Sequence, residues 1–275
     1  MPLLSLTTWS LHRNLGPLRW TFWDEENRVH GTHIDDQPET ISLLELPSLL
    51  HDNGFQAMEI CHFQFPDTSD AYLAELRSSI ERSGMRFYTL LADYGDITNP
   101  DEQRREADMD WLKKWIDIAS TAGAERIRII AGDAEASDEE AVRLAAAQLQ
   151  RLIDYASDKK VRIITENFHD LTSTSANCIS LLDACGTELG LTTDFGNFSG
   201  PEKLSELDAT IPRSESIHAK AMTDEQGSLD AEEFRSCMER VRNSAYEGPI
   251  TLVYDGPGDM WEGINRVKAL VEPYL

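Results

Sequence analysis

The chain has 275 residues with 41% hydrophobic content, enough for a large core, and no apolar run approaches the roughly 20 residues of a membrane span. Its 49 acidic against 25 basic residues leave a formal net charge of -24, a surface that repels polyanions and argues against nucleic acid as a partner. Cys61, Cys178, Cys185 and Cys237 form no CxxC pair, and MPLLSLTTWSLHR carries neither a basic leader nor a cleavage site, so reduced thiols and a cytoplasmic location are expected.

Short runs rich in β-branched residues alternate with helical patterns along the whole chain. Strands are predicted at residues 3–9, 57–63, 85–93, 125–132, 161–166, 189–194, 215–221 and 249–255. Residues 10–38, between the first two, are polar and aromatic and too long for an ordinary connection. They are expected to form a loop over the C-terminal face, a lid or a binding segment.

Asn99–Pro100, Ser137 with Glu140, and Asp230 with Glu233 read as helix starts; Gly54, Gly84, Gly123 and Gly186 read as stops. About eight strand–helix units, no glycine-rich phosphate turn after the first strand and no shift in composition predict an α/β fold, a single-domain (β/α)8 TIM barrel spanning residues 1–275.

Three strands close on groups that coordinate metals: VRIITE on Glu166, LGLTTD on Asp194 and ESIH on His218. The same end of neighbouring parallel strands opens into one mouth, so these side chains are expected to meet there. On a strand, residues two apart share a face, which adds Lys220 to His218 and pairs Asp255 with Val253. Oxygen and nitrogen donors of this kind suit Mn²⁺, Mg²⁺, Co²⁺ or Zn²⁺. Glu166, Lys220 and Asp255 are the candidate catalytic groups, and Trp9, His12, His62, Asp93, Arg128 and Asn197 the candidate substrate contacts. Arg128 and Glu59, both on predicted strands, are expected to be paired, because an unpaired charge inside a barrel is costly. Asp96, like Asp93, could bind a substrate or simply shape its loop, and Trp20, Trp23, Phe195, Phe198 and Trp261 could supply apolar walls.

TENFHD around Glu166, TTDFGNF around Asp194, SIHAKAM around His218 and, more loosely, GFQAMEI and ERIRIIAG resemble the xylose isomerase-like TIM-barrel superfamily. That superfamily contains sugar and sugar-phosphate isomerases and epimerases, inosose dehydratases and endonuclease IV. The resemblance implies a divalent metal held by Glu166, Asp194 and His218 and bound to a small sugar or polyol. It also implies a glutamate on the last strand, which in many epimerases is both a ligand and one of two proton-transferring bases. Here that position is Val253, followed by Tyr254, Asp255 and Gly256.

The resemblance with that departure implies a metal-assisted isomerase, epimerase or related lyase that polarises a carbonyl and moves a proton with one base. The alternative is a barrel that binds sugar without turnover, or one that acts only beside a partner subunit; a homo-oligomer would also be in keeping. An endonuclease IV-like role fits less well, since Asn197 stands three residues after Asp194 and no D-x-H pair follows His218.

Overall fold

The computed structural model describes residues 2–244 and 246–275. In chain order its strands are β1 (Leu4–Thr7), β2 (Leu18–Asp24), β3 (Val29–Asp35), β4 (Ala57–Cys61), β5 (Arg86–Ala92), β6 (Arg126–Ile129), β7 (Arg162–Glu166), β8 (Gly190–Asp194), β9 (Ser216–Lys220) and β10 (Ile250–Val253). The helices are α1 (Leu46–Asp52), α2 (Asp70–Ser83), α3 (Glu102–Ala122), α4 (Glu139–Ala156), α5 (Ser175–Cys185), α6 (Lys203–Thr210), α7 (Ala231–Asn243) and α8 (Met260–Val271). No described helix is long and apolar enough to cross a membrane.

β1 and β4 to β10 close into one eight-stranded barrel, every ladder parallel, with a helix between each pair of consecutive barrel strands from β4 onward. The fold is the expected (β/α)8 TIM barrel. Its main apolar core lies between strands and helices: α4, for example, buries Ala141, Ala145, Leu149, Leu152, Ile153 and Ala156, the 3.6-residue stripe of a helix laid on a sheet. The barrel lumen is different. Ser5, Thr7, Thr89, Thr192, Ser216 and Thr251 are all buried barrel-strand residues, and these small hydroxyl side chains accompany the charged groups of the mouth.

Carboxylates cap the starts of α3, α4, α7 and α8. Asp101 caps α3 by accepting from the backbone N–H groups of Gln103 and Arg104, while Asn99 accepts from Asp101 N–H. Asp138, not Ser137, caps α4, receiving Glu140 N–H at 2.9 Å. In both cases the expected start is displaced because an ionised cap one or two residues nearer the helix aligns with its free N–H groups and macrodipole. Asp230 caps α7 as expected.

Residues 10–38 contain regular structure that the sequence reading did not anticipate: β2 and β3 form an antiparallel hairpin with Leu18 opposite Asp35 and Asp24 opposite Val29. Asp24 Oδ1 accepts from the N–H groups of Glu26 and Asn27 to turn the chain. Phe22 lies over Gly31, its ring within 2.4 Å of where an added Cβ would stand. His30 Nε2 meets Asp108 Oδ1 at 2.7 Å and Arg28 Nη2 meets Asp101 Oδ2 at 2.6 Å, fastening the hairpin to α3.

Candidate metal and substrate site

At the C-terminal end of the barrel strands a cavity of about 340 Å³ is lined by Glu166, Asp194, His218, Lys220, Val253 and Asp255, with Arg128, Asp93 and Asn197 among the other walls. Asp194 and His218 are paired across the β8–β9 ladder, and Glu166 ends β7 beside them, so register and parity bring the three side chains together. His218 Nδ1 stands 3.5 Å from Glu166 Oε1 and 3.5 Å from Asp194 Oδ2. One ligand atom from each of the three lies within 4.8 Å of the others.

That spacing fits a divalent ion. Two ligand atoms bound at about 2.1 Å and separated by a tetrahedral angle are roughly 3.4 Å apart. The imidazole is also set for coordination. Its Nε2 meets Glu59 Oε2 at 2.6 Å, and because a carboxylate can only accept, Nε2 carries the hydrogen and Nδ1 faces the two carboxylates. Glu59 is fully buried and is itself held by the hydroxyls of Thr89 and Ser216, each at 3.2 Å. Asn167 fixes the other side: its amide oxygen accepts from Asp194 N–H at 2.7 Å and its amide nitrogen donates to Asp194 C=O at 3.0 Å. The residues present therefore fit a divalent metal, with three protein donors and a face open to the cavity.

Arg128 is the second organising charge. Its Nη2 donates to Asp93 Oδ1 at 2.5 Å and its Nη1 to Ala92 C=O at 3.1 Å. Its Nε lies 2.9 Å from Glu166 Oε2 as an ion pair, although neither atom is aligned for a hydrogen bond. The expected pairing is present for both charges: Arg128 pairs with Asp93 and Glu166, and Glu59 with His218. Burial pushes the Glu166 carboxyl up, yet the charges of Arg128 and His218 outweigh it and hold it below the ordinary range. Asn197 Nδ2 donates to Glu166 Oε1 at 3.0 Å, which further favours the ionised form. Burial works against the His218 imidazolium, but Glu59 and Glu166 keep its pKa well above 6.5.

Lys220 Nζ meets Asp255 Oδ2 at 2.8 Å. Burial lowers the Lys220 pKa, Asp194 and Asp255 raise it by more, and the side chain stays an ammonium. Val253, opposite Lys220 in the β10–β9 ladder, puts an isopropyl group on the wall.

Among the expected substrate contacts, Trp9, Asp93, Arg128 and Asn197 line the cavity and His12 and His62 do not. His12 stacks behind Trp9, ring centroids 4.1 Å apart. His62 is buried among Phe63, Trp111 and Trp115, and its Nδ1 accepts from Asp93 N–H at 3.1 Å. Burial drives its pKa down to about 4, so it is a neutral support for Asp93. Asp96 organises its own loop through Thr98, Asn99 and Asp133. Of the aromatics, Trp9 and Trp20 reach the cavity, whereas Phe195 and Phe198 are fully buried in the core. The lining residues not anticipated are Thr7, Cys61, Phe63 and Leu91 on or just after β1, β4 and β5, and Phe168 and His169 in the loop after β7. His169 has a left-handed backbone, φ +63°, and its Nδ1 is 2.6 Å from Asp133 Oδ1.

A model of the family described as xylose isomerase-like TIM barrel matches residues 47–270. The chain belongs to this family. Solved structures of similar fold include L-ribulose 3-epimerase (13% identity, TM-score 0.71, covering all of this chain and 95% of that one). They also include the probable 3-DHS dehydratase AsbF of Bacillus anthracis (15%, 0.69, 98% and 99%). A third is a xylose isomerase-like TIM barrel protein of Mycobacterium smegmatis in complex with magnesium (16%, 0.65, 98% and 95%). At these identities the likeness speaks for the fold. No curated protein matches the sequence.

Proposed function

We propose that the protein is a metal-assisted enzyme of the sugar isomerase and epimerase kind, or a related lyase, acting on a small sugar or polyol with a single proton-transferring base. The observation that carries this reading is the imidazole of His218, fastened on one side by Glu59 and presented on the other to Glu166 and Asp194. Epimerase and dehydratase structures on the same fold, and a magnesium complex among them, are in keeping with it. Glu166, Asp194 and His218 would hold the ion, which supplies a Lewis acid for a substrate carbonyl.

The chain's own groups do the rest. Lys220 Nζ donates a hydrogen bond to the substrate oxygen on which negative charge develops, and as an ammonium it cannot serve as the base. Glu166, pinned by Arg128 and Asn197 in its ionised form, acts as a ligand and is a weak base. Asp255, beside Lys220 on the cavity wall, is the carboxylate that takes the proton from the carbon next to the carbonyl. Returning that proton to the former carbonyl carbon, while the neighbouring hydroxyl proton passes to the former carbonyl oxygen, isomerises the sugar; expelling a hydroxyl from the next carbon, which takes the proton and leaves as water, makes the reaction a lyase.

Val253 favours the competing reading, a barrel that binds sugar without turnover, because valine supplies neither ligand nor base. One experiment separates the two. The Mn²⁺-loaded protein is incubated in D₂O with a panel of free and phosphorylated ketoses, and deuterium at the carbon next to the carbonyl is read by NMR. Exchange that disappears in Asp255→Asn supports the enzyme; a ketose that binds with no exchange supports the binding barrel.

A further inference from the structure

The cavity is divided by strand order. Around the barrel, β6, β7, β8 and β9 contribute Arg128, Glu166, Asp194, His218 and Lys220, all charged. The adjoining arc, β10, β1 and β4, contributes Val253, Trp9 and Phe63 from the strand ends and the turns that follow. The hairpin closes that arc from above with Trp20, whose ring lies 4.1 Å from Phe63 and 6.3 Å from Trp9. Trp9 and Phe63 meet edge to face at 5.9 Å.

This aromatic box is separate from the main core. Leu18, Cys61, Phe63 and Leu91 form their own buried cluster, with Trp9 and Trp20 packed on it and only partly buried. Its exposed face therefore belongs to the cavity. Val253 at the end of β10 carries the apolar arc up to its ladder neighbour Lys220, with Asp255 of the following turn paired to that lysine at the boundary. A sugar offers one C–H face to one aromatic ring; here two partly exposed rings, Trp9 and Trp20, stand against the buried Phe63 and give a second apolar wall beside the charged arc.

Resting on the proposed function, we propose that the substrate is a glycoside whose sugar ring carries the ketone that chemistry needs, the oxygen-rich sugar held on the charged arc and a flat apolar aglycone, such as an aryl ring, seated in the box of Trp9, Trp20 and Phe63. Val253 is then a specificity residue: it gives up a charged group to let the aglycone lie beside the sugar. Covering the apolar surface of one phenyl ring is worth at least about tenfold in affinity.

The test uses three matched pairs, methyl and phenyl β-D-glucoside, galactoside and xyloside, titrated into the Mn²⁺-loaded protein by calorimetry, with saturation-transfer NMR to locate the contact. The inference expects at least one phenyl glycoside to bind about tenfold or more tighter than its methyl partner, with the phenyl protons most strongly saturated. Trp20→Ala should remove that preference and leave Mn²⁺ affinity unchanged. If no pair shows the preference, because both members bind alike or neither binds, the inference is overturned. A preference that survives in folded Trp20→Ala overturns the assignment to this box, and the saturation map of the unmodified protein decides the matter should that variant not fold. Failure of Mn²⁺ to bind at all would strike the proposed function instead, and is read separately in the metal titration.

Discussion

Replacing Glu59 tests whether the imidazole is positioned from behind. Glu59 is fully buried and joined to His218 Nε2 at 2.6 Å, and it touches no cavity surface. In Glu59→Gln the amide oxygen can still accept from Nε2–H, and Thr89 and Ser216 can turn their hydroxyls to receive the amide. What is lost is the charge on the acceptor. A charge-assisted hydrogen bond is worth about 1.5–3 kcal/mol and a neutral one about 0.5–1.5 kcal/mol, so the loss is roughly 1–1.5 kcal/mol, or about tenfold in metal affinity. Glu59→Leu leaves Nε2–H without a partner and the ring free to rotate, and the loss should approach the 100-fold upper end for outer partners of metal ligands, about 100-fold. Mn²⁺ dissociation constants measured by calorimetry or electron paramagnetic resonance at a pH where affinity has levelled off, so that the proton Glu59 helps His218 retain does not enter the comparison, with circular dichroism to confirm folding, give the answer. Equal affinities in the unsubstituted protein and both variants would refute the reasoning.

Val253→Glu adds a carboxylate at the end of β10 beside the triad, and Mn²⁺ affinity should rise at least about tenfold; a folded variant with unchanged or weaker binding would show that the remaining ligands are misplaced. Metal binding should also release a proton. His218 is held protonated well above 6.5, chiefly by Glu59 and Glu166 against the effect of burial, and a metal at Nδ1 must displace that hydrogen. Mn²⁺ affinity should therefore increase by up to about tenfold per pH unit below the His218 pKa and level off above it. Calorimetry in buffers of different ionisation enthalpy should find about one proton released per ion, and a pH-independent affinity with none released would contradict the assignment of Nδ1. His169 titrates above its ordinary 6.5 because it hydrogen-bonds Asp133, despite the opposing pull of burial. Its contribution to stability is complete below 6.5 and is lost as pH rises through the raised folded-state value. Asp133→Asn should bring the imidazole midpoint, followed by NMR, down toward 6.5; an unmoved midpoint would assign the shift elsewhere.

The barrel was legible in the sequence because strand and helix periods alternate along the chain. The eight predicted strands lie where the barrel strands are found, usually extending a residue or two into the following turn. The meeting of Glu166, Asp194 and His218 followed from parity and strand order alone. Pairings across the lumen did not. Glu59 and His218 are 159 positions apart, on β4 and β9, strands separated by two others around one side of the barrel and four around the other, which puts the pair beyond any ladder register. Only closure of the barrel to a given width lets such side chains touch, and no local pattern encodes that width. The hairpin was different, because its signal was present: LRWTFWD alternates Leu18, Trp20 and Phe22 with Arg19, Thr21 and Trp23, and the following EEN supplies the turn. Its charged and polar setting disguised it as an irregular loop. The displaced helix caps are a matter of competition, since Asn99, Asp101, Ser137 and Asp138 are all good caps and the backbone chooses between neighbours.

The claim on which the account depends is that the acids of β7 and β8 and the imidazole of β9 bind one divalent ion. Mn²⁺ titration of the metal-stripped protein beside Asp194→Asn tests it most directly. The account predicts one ion per chain in the unsubstituted protein and at least about 100-fold weaker binding in a folded Asp194→Asn variant, as befits loss of an anionic ligand from a set of three. No saturable binding, or binding that Asp194→Asn leaves intact, would contradict it.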